Sequence, residues 1–346
     1  MLKRREFLQA AAGLALTGRA GVLAAEQPTK RVPQCLPAIS GTLWWASAQQ
    51  NKEWGAAGWE QELKEQQRLG FDLLWFVNAP SILDHPVLNL RALLDLCNKR
   101  KFKVILDTSF NGHWYKTLDL KDELELCHGN IRALGDQVAG HPAFLAWYIP
   151  HEIYMCWGKM ETYINDLYPA LLNACKAAAN LPVTVSPFFI LDRTGVFGNF
   201  QFNEPDEYRD FWAKLIRRSG LDIVMLQDSG EHFSYVTDQQ RRPFFKAMSE
   251  ACRETGSRLW GNVEVAEMEC ESIEHYEQRY GRVHHSAAKG ITWRPVPLPR
   301  LKTKLTLAAE FSRRIVSWGY QEFCRPTLSL KAKAWHEAYQ AYRKSL

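Results

Sequence analysis

Dense apolar runs alternate along this chain with stretches in which apolar residues recur every three or four positions. Runs of the first kind stand at 39–45, 71–77 and 102–107, from Phe144 to a stop at Pro150, and at 181–186, 221–227, 258–264 and 315–320. None alternates polar with apolar, which is the pattern of strands covered on both faces in a parallel sheet. The second kind predicts helices from about Gly58 to Leu69, then over 88–101, 121–139, 160–179, 206–218, 239–255, 303–314 and 331–344. Gly70 and Gly140 stand where helices must stop. The long segment 265–301 holds a short predicted helix at 272–279 and the proline-rich loop 295–299.

Eight strands and eight helices in strict alternation predict a (β/α)8 TIM barrel, a single α/β domain over 26–346. A doubly wound open sheet is the alternative. It calls for a glycine-rich phosphate loop after an early strand, and Gly195-Val-Phe-Gly-Asn follows the fifth strand without that spacing. In a barrel all strand ends converge on one face, so residues far apart in sequence share a site. The candidates there are Trp44 and Trp45 from the first strand, Asn78 from the second, and Asp107 from the third. His113 and Trp114 stand in the aromatic loop after the third. The fourth strand gives His151, Glu152 and Tyr154, the sixth Gln227 and Asp228, the seventh Asn262 and Glu264, and the eighth Trp318 and Tyr320.

Two of these runs lead into a glutamate, and paired carboxyl groups are what glycosidic cleavage requires: one protonated, one ionised, on opposite sides of the bond. Trp147-Tyr-Ile-Pro-His-Glu-Ile-Tyr154 and Leu259-Trp-Gly-Asn-Val-Glu264 resemble motifs of a poorly characterised bacterial family of exported glycoside-hydrolase-like barrels. The arrangement is similar to clan A glycoside hydrolases, whose fourth-strand Glu is the acid/base and seventh-strand Glu the nucleophile. The resemblance covers about 39–320. It implies Glu152 as acid/base, Glu264 as nucleophile and a glycosidic bond of an oligosaccharide or polysaccharide as substrate, with no cofactor and no catalytic metal. Clan A members usually carry Asn before the acid/base; this chain carries His151. Asp228 is the competing second carboxylate, and retention and inversion both stay open.

Composition shifts the picture in three ways. Thirteen Trp, with 12 Tyr and 17 Phe, supply flat apolar rings of the kind that sugar rings stack on and that also fill cores. Lys3-Arg-Arg-Glu-Phe-Leu8, an Ala-rich stretch over 10–17, and Ala24-Ala25 read as a twin-arginine signal peptide over 1–25. Its apolar part is too short to span a bilayer, and Cys35 lies beyond the cleavage region, so the expectation is a periplasmic or secreted protein without a membrane anchor. Removing the signal takes the formal charge from +5 to +2, too little to call for nucleic acid or an anionic membrane as partner. The eight Cys have no CxxC or zinc spacing and read as buried thiols, with room for one or two disulfides after export. His284 and His285 lack the HExxH spacing and read as a surface loop. Two further readings stay open: a non-catalytic carbohydrate-binding barrel, and a metal-dependent hydrolase or epimerase using His151 and Asp228.

Overall fold

The parallel strands are β1 (Gly41–Trp45), β2 (Leu73–Val77), β3 (Lys103–Asp107), β4 (Phe144–Ile149), β5 (Val183–Val185), β6 (Ile223–Gln227), β7 (Arg258–Asn262) and β10 (Ile315–Val316). They form an eight-stranded sheet in the order β1-β2-β3-β4-β5-β6-β7-β10. Ser317 bridges Thr42 in parallel, and Leu43 N–H donates to Ser317 O at 2.8 Å while Ser317 N–H donates to Gly41 O at 2.9 Å, which closes the sheet into a barrel. The computed structural model describes residues 35–198, 200–228, 234–283 and 288–346. The expected signal at 1–25, His284 and His285 lie outside the described residues. Gln34–Leu346 is one compact unit, so the barrel is a single α/β domain. Among the described residues no helix is long and apolar enough to cross a membrane. All eight cysteines are free thiols, and the room left for disulfides is not used.

Burial on both faces explains the unbroken apolar runs. Alternate side chains enter different cores: Leu43, Trp75, Ile105, Tyr148, Met225 and Trp260 fill the barrel, while Trp44, Phe76, Leu106, Trp147, Leu226 and Leu259 face the helix layer. Strand parity therefore decides which candidate residues can see the mouth.

Element boundaries mostly follow the apolar pattern, with four departures. Helix α1 (Ala48–Arg68) starts ten residues before the predicted Gly58, because Ser47 caps it by accepting from Gln50 N–H; Gly55, at φ 51°, kinks it. The long segment 265–301 has its expected short helix, α8 (Ile273–Tyr280), but also a hairpin, β8 (Ala266–Met268) antiparallel to β9 (Trp293–Pro295), and α9 (Leu298–Phe311) begins five residues early on Pro299. The eighth strand holds its ladder for two residues; Gly319 then turns the chain at φ 97° into a π-helical turn, Tyr320–Cys324.

Candidate active site

Pro150 ends β4 and sets up a tight turn in which Glu152 N–H donates to Pro150 O at 2.9 Å. Two donors then fix the Glu152 carboxylate. The Tyr148 hydroxyl donates to Oε1 at 2.6 Å, and Gln227 Nε2 donates to Oε2 at 2.9 Å. Burial, with Glu152 beside it, pushes the Tyr148 phenol well above its usual range, so it stays a donor. Gln227 Nε2 also donates to Ser186 O at 3.0 Å, which anchors the amide to the next strand. Behind Glu152, the Tyr168 hydroxyl donates to His151 O at 2.6 Å, and His151 Nε2 lies 2.8 Å from Glu123 Oε1.

Glu264 is held by its backbone. Its N–H donates to Asp228 Oδ1 at 3.1 Å and its C=O accepts from Lys304 Nζ at 2.7 Å. Lys304 lies 3.2 Å from Asp228 Oδ2, so one buried ion pair grips both backbone polar groups of Glu264. Arg241 Nε donates to Asp228 O. Burial pushes the Asp228 carboxyl up against the opposing fields of Lys304 and Arg241, and pushes the Lys304 ammonium down. Gly261 makes this reach possible: a Cβ there would sit 3.0 Å from Ala308 Cβ, so α9 packs against β7 where the side chain is missing. Lys304 precedes Ala308 by one helical turn and shares its face.

Both glutamates line one cavity of about 270 Å³ at the carboxyl end of the strands. Its apolar wall is Leu43, Val77, Phe110 and Pro150; Trp45 and Trp318 supply rings; Tyr148, Gln227 and Asn262 complete the polar lining. Asn262 Nδ2 donates to Ser186 Oγ at 3.1 Å, and that hydroxyl donates to Met225 O at 2.9 Å. Residues 39–329 match the model of a domain of unknown function, DUF4434. The chain belongs to the DUF4434 family.

The DUF4434 barrel resembles solved glycoside-hydrolase structures. A provisionally assigned alpha-L-fucosidase from Bacteroides thetaiotaomicron VPI-5482 is 19% identical with a TM-score of 0.67, covering 95% of this chain and 99% of that one. A beta-glucanase from Saccharophagus degradans is 11% identical with a TM-score of 0.51, covering 89% and 88%. A Faecalibacterium prausnitzii beta-glucuronidase is 9% identical with a TM-score of 0.51, covering 91% of this chain and 49% of that one. At these identities the likeness is one of fold. No curated protein matches the sequence.

Of the residues expected at the mouth, the DUF4434 barrel brings Trp45, Glu152, Gln227, Asn262, Glu264 and Trp318 together. The others go elsewhere. Trp44 has the opposite parity to Trp45 and is wholly buried in the helix layer, 5.3 Å from the Trp59 ring. Trp114 is buried against His151 at 5.1 Å, and Tyr320, past the Gly319 turn, packs on Phe71 at 5.6 Å. His151 is turned away from the cavity into its contact with Glu123, and Asp228 into its pair with Lys304. Asp107 is a loop anchor, accepting from Ala79 N–H at 2.9 Å and Ser109 N–H at 3.2 Å, and burial pushes its carboxyl up to about 6. Asn78 adopts φ 66° and donates to Ala46 O at 3.0 Å, which pins the loop after β2. His113 is exposed before the short helix α3 (Trp114–Thr117), and Tyr154 is half-buried among Phe188 and Phe200.

Three contributors were not singled out from the sequence. Tyr148 lies in a run apolar on both faces, so its inward direction is not legible; Lys304 interrupts the apolar face Leu301, Leu305, Ala308, a signal that something charged is buried there but not what it meets; Glu123 had no signal. His151 and Asp228 belong to separate networks, which argues against a shared metal. Glu123, Cys127 and His151 do place ligand atoms within 4.8 Å of one another. Glu123 Oε1 already accepts from Asn111 N–H at 2.9 Å and contacts His151, while burial pushes the Cys127 thiol up, so this set fits a hydrogen-bonded clamp better than a metal. A larger hollow of about 680 Å³, lined by Trp54, Glu62, Arg325 and His336, holds none of the candidate residues.

Proposed function

We propose that this protein hydrolyses a glycosidic bond, with Glu152 as proton donor to the leaving oxygen and Glu264 as the second carboxylate. One observation carries the reading: the ends of β4 and β7 deliver both carboxylates to a single cavity that Trp45 and Trp318 also line. Tyr148 and Gln227, each donating to one of its oxygens, fix the plane of the Glu152 carboxyl group. Glu264, 1% exposed, is shielded from bulk water, and a carboxylate there acts at close range on positive charge developing at an anomeric carbon. Separation between the two carboxyl groups decides whether Glu264 attacks directly or activates a water.

A glycan panel identifies the substrate, and two variants test the roles. Glu152→Gln is expected to lower turnover on poor leaving groups by several powers of ten while sparing an activated aryl glycoside. Glu264→Gln is expected to abolish both, and azide is expected to rescue Glu264→Gly in part with inverted product if a covalent intermediate forms. Wild-type rates for Glu152→Gln on the natural glycan would refute the assignment.

A further inference from the structure

Among the described residues, the large aromatic side chains left exposed are Trp45 at 44%, Tyr115 at 51% and Trp157 at 41%; the other exposed large hydrophobic residues are aliphatic. All three aromatics follow strand ends: Trp45 closes β1, Tyr115 follows β3 in α3, and Trp157 follows β4 and caps α5 (Gly158–Ala178). All three stand on the side of the barrel where the strands end, the side that carries the Glu152 and Glu264 cavity. Each rim also has a firm backing. Trp157 lies 6.1 Å from Tyr154, which packs at 5.2 Å on Phe200, and Trp318 lies 5.6 Å from Trp293 and 6.0 Å from Phe323. In the closed ring of eight strands β4 and β10 are four places apart, so the segments that carry these two aromatic groups leave the barrel from opposite sides of the ring.

The cavity is small for its setting. At about 270 Å³ it falls just below the roughly 300–1,000 Å³ of sites that enclose a drug-sized ligand, so a longer glycan must continue along the rim. Its described lining carries two carboxylates, a phenol and two amides but no Lys, Arg or His, a surface that repels a polyanion.

Building on the hydrolase reading above, we propose that the mouth is a trough for an uncharged linear polysaccharide, which stacks on Trp157 at one end and on Trp45 and Trp318 at the other. The bond presented to the carboxylates is then an internal one. Trp157 and Tyr115 are specificity residues that touch sugar units remote from the reacting bond.

The test uses the full-length Glu152→Gln protein, titrated calorimetrically with neutral β-glucan, mannan and xylan oligomers of increasing length and with an acidic polyuronide. Affinity is expected to rise with chain length until both shelves are filled. Adding Trp157→Ala is expected to weaken the longest oligomer by about five- to tenfold, the worth of one ring-stacking contact, with the penalty shrinking on ligands too short to reach it. Wild-type digests are expected to release mid-length fragments first. Chain-length-independent affinity, a polyuronide preference, or release of single terminal sugars by a protein that does cleave glycans overturns the trough and leaves the hydrolase reading standing. Neither binding nor cleavage of any polymer overturns both.

Discussion

Lys304→Met keeps the reach of the side chain and deletes its charge, leaving Asp228, 1% exposed, without the ammonium now 3.2 Å away and Glu264 O without its donor. Removing one partner of a buried ion pair costs about 3–5 kcal/mol, a large share of the ~5–15 kcal/mol by which domains are stable. Asp228→Leu combined with Lys304→Met removes both charges, and apolar replacement of a buried pair is neutral or stabilising by ~1–4 kcal/mol. Against that stands the unpaired Glu264 peptide, at about 1–3 kcal/mol for each orphaned group. The double variant is therefore expected to be more stable than Lys304→Met yet poorly active, because Glu264 has lost what fixes its backbone. The pH dependence carries a sign. Burial already raises the Asp228 carboxyl, and losing Lys304 raises it further, so the folded state binds a proton that the unfolded chain releases. Stability then falls as pH rises through that window, and the Lys304→Met deficit is largest near neutrality and narrows on acidification. Urea denaturation of wild type, both single variants and the double variant at pH 5 and pH 7.5, with kcat/KM alongside, reads every quantity. A Lys304→Met protein as stable as wild type at pH 7.5, or a double variant with wild-type kcat/KM, would refute the clamp.

Two further outcomes are expected. Asp107, raised by burial to about 6 from an unfolded value of ~3.9, makes the folded state less stable as pH climbs through that interval, by about 2–3 kcal/mol in all; Asp107→Asn should flatten this part of the urea-midpoint profile, and an unaltered profile would remove the assignment. Trp44→Ala should cost about 3–5 kcal/mol through the cavity left in the helix layer, with KM unchanged; a raised KM at unchanged stability would return Trp44 to the mouth.

The sequence by itself determined the alternation of eight apolar runs with eight helical stretches, and with it the closed parallel barrel, because each run is covered on both faces and each helix needs one. It also put Glu152 just past the apolar run that stops at Pro150 and Glu264 at the end of the run 258–264, whose ladder in the structure already ends at Asn262. The same double burial hid the parity. A strand that is apolar on both faces does not say which residues point inward, so Trp44 and Trp45 read alike, although one is sealed under α1 and the other stands at the mouth. Parity is fixed by how strands register around the ring and by where Gly261 lets α9 come close, and both are contacts between segments distant in sequence. Lys304 and Glu123 became part of the site in this way: each sits on a helix whose own pattern concerns packing, and each acquires a role only when closure brings Lys304 behind the Glu264 backbone and Glu123 against the His151 ring. Tertiary structure alone decided that His151 and Asp228 serve as buried supports while Tyr148 faces the cavity, because burial and charge pairing depend on neighbours that no local stretch of chain contains.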